Sequence, residues 1–447
     1  MADLKLPGLT PPASEGIPRL VKVNTVLISL IQAASGAGLQ LIPTLGALMI
    51  VRLLGAATWA GLAGSILGMS RLVVAYPVGA LTDARGRKPG LYLGLALSTT
   101  GSVLAGLSML WGSIVLFVTG IFVFGLGVGA VQQLRVAAAD MYPPRRRGEG
   151  LGYVLTGSLV GAFGSTALVG VAQGAAARWS TDPLMLSWLL VPAILLPCFY
   201  LVFRVRPDPL EIARNLAQYY PGQIEPPTAI DAGEAEGTAP STGFWAFVRH
   251  YPKLVAFVSN FAAQGNMVMI MAITALVLDH HGHDLPAISL AVSIHVLGMY
   301  GLSLPLGSIT DRAGRKPVLL AGAVISGGGS LLVALTSDYG IITAGAFLVG
   351  IGWSCVNVAS TAVLSDTTTA GERGRAIGTS DAFGGVSNIL LPLAVGPIAE
   401  GLGMAAVGIT GAVLMAIPLG MLLWLNETTP GCYAAVAPAE PSPQPVL

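Results

Sequence analysis

The sequence predicts an all-α polytopic membrane protein with twelve transmembrane helices in two pseudo-symmetric six-helix bundles. Three observations carry this. Of 447 residues, 53% are hydrophobic and only 10% are charged, with a mean hydropathy of +0.74. A soluble domain has about 25% charged residues. Twelve runs are long and apolar enough to span a bilayer, which takes about 20 residues each. One charged phrase occurs twice. Residues 77–89 read PVGALTDARGRKP and residues 305–317 read PLGSITDRAGRKP, with Gly79 and Gly307 228 positions apart.

In chain order, a polar segment, 1–22, carries Pro7, Pro11 and Pro12, and no small-residue cleavage site follows the first apolar run. The spans of the first bundle (23–203) are 23–49, 58–82, 90–110, 113–139, 150–176 and 184–203. Residues 204–252 hold seven prolines with Asp231, Glu234 and Glu236, and read as a cytoplasmic linker with a short surface helix near 208–220. The spans of the second bundle (253–426) are 253–278, 286–309, 317–336, 339–365, 375–399 and 404–425. The Pro/Ala-rich 427–447 reads as a disordered cytoplasmic tail. Glycine and proline inside spans are tolerated where neighbouring helices meet the freed backbone groups.

Orientation follows from Lys and Arg. They crowd the ends and every second loop, from Lys5, Arg19 and Lys22 through Arg145–Arg147 to Arg373 and Arg375, whereas the alternate loops hold only Arg52 and Arg178. The bias places both termini in the cytoplasm of a plasma-membrane protein.

The duplication extends further. Asp140 and Arg147 recur as Asp366 and Arg373, 226 residues on, and Gly125-x-Gly127 recurs as Gly350-x-Gly352, 225 residues on. The second half repeats the first in the same orientation, around an axis normal to the membrane.

The phrase resembles the cytoplasmic signature of the major facilitator superfamily, G-x-x-x-D-R-x-G-R-[RK]. The copy from Gly307 through Asp311, Arg312, Gly314 and Arg315 to Lys316 fits throughout. The copy with Gly79, Asp83, Gly86, Arg87 and Lys88 departs at Ala84 and Arg85. The Asp140/Arg147 and Asp366/Arg373 pairs look like that family's link between spans four and five. The resemblance covers about residues 20–426. It implies alternating-access transport of a small molecule, with spans one, four, seven and ten lining the cavity. It also implies that spans two and eleven, and five and eight, face each other across the halves. It implies a gating role for Asp83 and Asp311, which would hold the cytoplasmic side closed against the opposite half. Drug-exporting branches carry an Arg in span four and a Pro after G-x-x-x-G in span five; here Phe122 and Ala162 stand there.

The glycines at 79 and 307 would let helices approach closely. Arg87, Lys88, Arg315 and Lys316 would pair with the acids or with lipid phosphates, or simply anchor the topology. Ionisable groups inside spans are costly and point to function. Arg71 and Asp381 are candidates for an ion pair across the halves, and His295 for proton coupling or for a neutral core role. Arg135 would attract an anion or tie to Asp140. Candidate cavity residues are Gln32 and Gln40 in span one, Gln132 in span four, and Asn260, Gln264, Met267 and Met271 on one face of span seven. Trp353, Asn357 and Ser360 are the candidates in span ten. Amides, an indole and flexible methionines suit an uncharged or amphipathic organic molecule. Ordinary interhelical packing by polar side chains is the alternative for each.

The loop DHHGHD, 279–284, has three His in four residues, a pattern that catches metals or is simply solvated; no metal is assigned. Three cysteines form neither a disulfide framework nor a zinc pattern. No G-x-x-x-x-G-K-[ST] loop and no nucleophile–base arrangement occurs, so neither an ATP-driven pump nor an enzyme is expected. No cofactor and no nucleic-acid partner is expected at a net charge of +1. The protein is expected to be a monomer. The linker is too short and polar for the output domain of a membrane sensor.

Overall fold

The computed structural model describes residues 16–132, 137–138, 141–143, 146–220, 249–368 and 370–426. Among the described residues there are helices and no strands. Span one is Arg19–Leu39 followed by Leu41–Leu54; span two is Leu62–Arg85, preceded by the 3-10 turn Ala57–Trp59. Spans three to five are Arg87–Trp111, Ile114–Val131 and Arg147–Trp179. Span six is Pro183–Leu189 followed by Val191–Arg204. Spans seven, nine and ten are Tyr251–His280, Arg315–Leu335 and Tyr339–Asp366; spans eleven and twelve are Ala370–Leu402 and Met404–Leu423. Span eight is expected to be continuous but is the pair Leu285–Tyr300 and Ser303–Ala313, bent by 44°. Among the described residues, eleven helical units are long and apolar enough to cross a membrane, and this bent pair, counted as one span, makes twelve.

Acidic N-caps start several helices. Asp182, Asp284 and Asp338 accept from the N–H of Leu184, Ala287 and Ile341 at 2.9, 3.1 and 2.9 Å. The turns from span two to three and from eight to nine pass through Gly86 (φ +92°) and Gly314 (φ +97°), backbone that strains a side-chain-bearing residue.

Each half builds its bundle in the same way. Spans one and five, two and four, three and four, three and six, and one and six pack together; the same pairs recur six spans later. The contacts repeat residue by residue. Gly94 packs on Gly127 and Gly322 on Gly352, so closely that a Cβ would stand 2.6–3.0 Å from the partner's carbonyl oxygen. Gly101 and Gly120 correspond to Gly329 and Gly345 in the same way. Lipid supplies no hydrophobic drive between helices, so close backbone approach at small residues holds them.

The segment after span six is not a free linker throughout. Short helices Pro209–Arg214 and Leu216–Tyr219 follow it, with Ile212 and Tyr220 buried against the first half. Residues 221–248 and the tail 427–447 lie outside the described residues.

The halves meet at the face carrying the loops with few cations. Span one's Leu41–Leu54 packs on spans seven and eight, span two on eleven, and span five on eight. Gly61 lies directly on the Pro392 carbonyl, and Gly396 directly on that of Thr58. We predict that Gly61→Ala separates these ends. A cysteine replacing the buried Ser289, in a chain whose native cysteines are alanine, should then react with a membrane-impermeant maleimide. Unchanged protection would show that this contact does not hold the halves together.

Candidate functional site

Hydrogen bonds join the halves at that low-cation face. The Glu400 carboxylate of span eleven accepts from the Thr58 N–H at 2.7 Å and from the Thr58 hydroxyl. Between spans five and eight, Thr166 and Ser293 hydroxyls meet at 3.0 Å, Ser165 and Ser289 at 3.3 Å, and Ser293 donates to the Ala162 carbonyl at 2.7 Å. Ser165 and Ser293 also bond to carbonyls of their own helices, Ala162 and Ser289. These hydroxyls therefore keep a partner when the seam parts.

The opposite, basic face differs. Among the described residues, a Cβ at Gly79, Gly307, Gly378 or Gly385 would meet nothing within 4 Å. The close approach expected at Gly79 and Gly307 is thus not made among the described residues in this conformation. The duplicated phrase bonds within each half instead. Arg315 is buried; its Nε donates to Asp366 Oδ2 at 2.8 Å, its Nη1 to the Thr310 carbonyl at 3.2 Å, and its Nη2 lies 3.5 Å from Asp311. This ties the phrase to the acid of the second duplicated pair. In the first half Arg87 is also buried and donates to Thr82 Oγ1 at 3.2 Å. Of the alternatives expected for these arginines, Arg315 takes the pairing with an acid of the phrase. Asp311 and Arg312 are exposed, and Lys88 donates to the Val205 carbonyl at 2.9 Å. Lys316 is half-buried. Asp140 and Arg135 lie outside the described residues, as do the side chains of Asp83, Arg147 and Arg373.

Sequence reasoning missed Asp208. Its carboxylate accepts from the N–H of Arg87, Lys88 and Leu210 at 3.0, 3.1 and 2.9 Å, capping span three and its own helix together. A Cβ at Gly86 would strike it. The Asp-Pro start was a legible helix signal; the second helix it caps, 121 residues earlier, was not. Asn24 exchanges hydrogen bonds with Arg206, and Tyr220 donates to the Met141 carbonyl at 3.1 Å. Burial pushes the Tyr220 phenol up to about 12, so it remains a neutral donor.

Several expected cavity residues serve packing. Gln32 donates to Ser158 at 2.9 Å, bridging spans one and five. Asn260 donates to the Ser380 carbonyl at 2.9 Å, bridging seven and eleven. Met271 is buried against Val292 and Ala346, and Ser360 is buried with its hydroxyl on the Val356 carbonyl. Gln40 occupies the break in span one, where its carbonyl accepts from Thr44 at 2.7 Å. Gln132 is the C-cap of Ile114–Val131 in span four, half-buried. Gln264, Met267, Trp353 and Asn357 are half-buried on spans seven and ten, and Trp353 meets Tyr300 edge to face at 6.0 Å. Asn260 Oδ1 and Trp353 Nε1 are buried without a hydrogen-bond partner among the described residues.

His295 is a core residue, 1% exposed, with Nδ1 2.7 Å from the Ala346 carbonyl. Asp381 is exposed on span eleven, and no hydrogen bond or ion pair engages it among the described residues. Arg71 is half-buried, so the expected pair is not formed in this conformation. The histidine loop gathers no set of three or more ligating side chains among the described residues. His281 lies against the Val277 carbonyl and His283 against the Tyr339 ring.

The model of the Major Facilitator Superfamily matches residues 27–265 and 255–446. An uncharacterised MFS-type transporter of Bacillus subtilis, YdeG, is 27% identical over 91% of this chain and 92% of its own length. The riboflavin transporter RfnT of Brucella anthropi is 22% identical over 80% and 84%. The multidrug resistance protein MdtL of Escherichia coli is 29% identical over 33% and 38%. The inward-open structure of the E. coli xylose transporter XylE superposes with a TM-score of 0.65 at 16% identity, covering 91% of this chain and 96% of that one. The chain belongs to the major facilitator superfamily. It is a multi-pass membrane transporter with a small-molecule substrate.

Removing one member of a buried ion pair costs about 3–5 kcal/mol. Asp366→Asn should therefore lower the apparent thermal stability in detergent markedly. The double variant Arg315→Met/Asp366→Leu should recover part of it. An unshifted unfolding temperature for Asp366→Asn would deny the pair its structural weight.

Proposed function

We propose that this protein exports an uncharged or amphipathic organic solute by proton-coupled alternating access. Its basic face is cytoplasmic, and the conformation described here is the cytoplasm-facing one. The observation that carries the reading is the contrast between the two faces. The low-cation face is sealed by Thr58–Glu400 and the Ser/Thr seam, while glycines of the same spans meet nothing near the basic face. The positive-inside bias assigns that open end to the cytoplasm.

Half-buried Gln264, Met267, Trp353 and Asn357 would form one wall of the path. The unpartnered Asn260 Oδ1 and Trp353 Nε1 support a substrate that both donates and accepts hydrogen bonds, since a buried orphan polar atom costs about 1–3 kcal/mol. MdtL, a multidrug resistance protein, supports export. The likeness to the riboflavin transporter spans far more of the chain and supports a second reading, proton-linked uptake of a small metabolite.

Spans two and eleven supply the coupling pair. Gly61 and Gly64 lie on Pro392, and Gly68 lies on Asn388. Continued towards the basic face, this register sets Arg71 opposite Gly385 and Asp381 about one turn, 5.4 Å, further on. Closure of that face would let Arg71 reach Asp381, so that protonation and pairing compete for one carboxylate.

The test is solute-driven proton movement in proteoliposomes, read with a pH dye over a panel of metabolites and cationic dyes. The expected result is a flux with one class of compound, lost in Asp381→Asn and retained in Asp381→Glu. Solute exchange with no proton movement in the wild type would remove the coupling role. Full coupling in Asp381→Asn would do the same.

A further inference from the structure

Span six ends in a cationic patch above an apolar stripe. Leu196, Tyr200 and Phe203 of Val191–Arg204 are 57%, 58% and 50% exposed. Residues three and four apart share one helical face, and on a membrane span an exposed apolar face meets lipid. Behind it Phe199 stacks on Tyr92 of span three with ring centroids 6.0 Å apart, so the two spans form one surface.

Cations crown this surface. Arg204 Nη1 donates to the Tyr200 hydroxyl at 2.9 Å. The Arg206 guanidinium lies over the Phe203 ring, 4.3 Å from its centroid. The Arg206 backbone is fixed by Asn24, which accepts from its N–H at 3.2 Å and donates to its carbonyl at 3.3 Å. The Lys88 ammonium of span three donates to the Val205 carbonyl at 2.9 Å, and Arg206 is near enough to repel it.

The acids of this segment leave both arginines uncompensated. Asp208 directs its carboxylate to the N–H groups of Arg87, Lys88 and Leu210, and its charge acts on Lys88. Glu211 is exposed in the first turn of Pro209–Arg214, where a helix N-terminus favours an acid. Arg204 and Arg206 are exposed, and neither makes an ion pair among the described residues.

We propose that this patch binds an anionic phospholipid. Its phosphate is held by the planar donor forks of Arg204 and Arg206, and one acyl chain lies along Phe203, Tyr200 and Leu196. Paired cations at the head of an apolar stripe fit a lipid better than a free anion, which has no use for the stripe. The bound anion offsets the repulsion between Lys88 and Arg206 where the connection leaves span six, and so steadies the Asp208 cap. The site needs only a bilayer and does not rest on the transport reading.

The experiment is native mass spectrometry of the purified full chain with phosphatidylglycerol, together with thermal unfolding in detergent with the same lipid. Phosphatidylcholine with the same acyl chains and inorganic phosphate are the comparisons. We expect phosphatidylglycerol to be retained and to raise the unfolding temperature saturably, and neither comparison to do so. Arg204→Gln/Arg206→Gln should weaken retention about tenfold or more and remove the upward shift. Arg19→Gln/Lys22→Gln, which removes exposed cations of span one, should change neither. Undiminished retention in Arg204→Gln/Arg206→Gln would overturn the site. Equal losses in the two double variants would reduce the effect to general surface charge, and an equal shift with inorganic phosphate would make it a simple ion effect; either would overturn the lipid assignment. Retention that depends on the two arginines without any thermal shift would leave the site and overturn its effect on the cap.

Discussion

The fold depends on how closely helix backbones can approach in a solvent that is itself apolar. Leu gains nothing by leaving lipid for another helix, so van der Waals contact and interhelical hydrogen bonds must hold the bundle. The chain meets this with glycine at matched positions. Gly94 on Gly127 in one half is Gly322 on Gly352 in the other. The same device at Gly61 and Gly396 brings the halves together at one face. A fold held by such contacts tolerates their loss at one face if equivalent surfaces exist at the other. The uncontacted Gly79, Gly378 and Gly385 offer such a surface.

The duplicated charged phrase has a structural reading as well as a gating one. Gly86 and Gly314 supply the left-handed turn that reverses the chain between spans. The arginine that follows each is buried rather than left as a surface anchor, and Arg315 reaches the acid at the end of span ten. The two halves are also finished differently. Asp208, on the segment that leaves span six, caps span three and docks that segment under the first bundle. This fastening makes the basic ends of spans one, three and four a single body with the start of the connection.

The number of spans, the twofold repeat and the identity of the phrase were legible in the sequence. Hydropathy and spacing are local or periodic properties, and lipid enforces both. The breaks in spans one and eight were not legible, since Gln40 and Gly301 sit in runs as apolar as any continuous helix. The candidate site was legible only in part. Asn260, Gln264, Met267 and Met271 were read from their spacing as one stripe of span seven, yet Asn260 and Met271 of that stripe pack against neighbouring helices. Gln32, the residue aligned with Asn260 by the repeat, does the same against span five. Helical period tells which residues share a face, not whether that face meets a cavity or a helix. The Ser/Thr seam and the Thr58–Glu400 contact escaped for a related reason. Small hydroxyls give no hydropathy signal, and their partners lie more than a hundred residues away.

The central claim is that the seam between spans five and eight opens and closes during transport. Oxidative cross-linking of a Ser165→Cys/Ser289→Cys pair in proteoliposomes, with solute exchange followed before and after reduction, tests it most directly. The account predicts that the disulfide forms readily, arrests exchange, and releases it on reduction. A quantitative cross-link with exchange undiminished would contradict it.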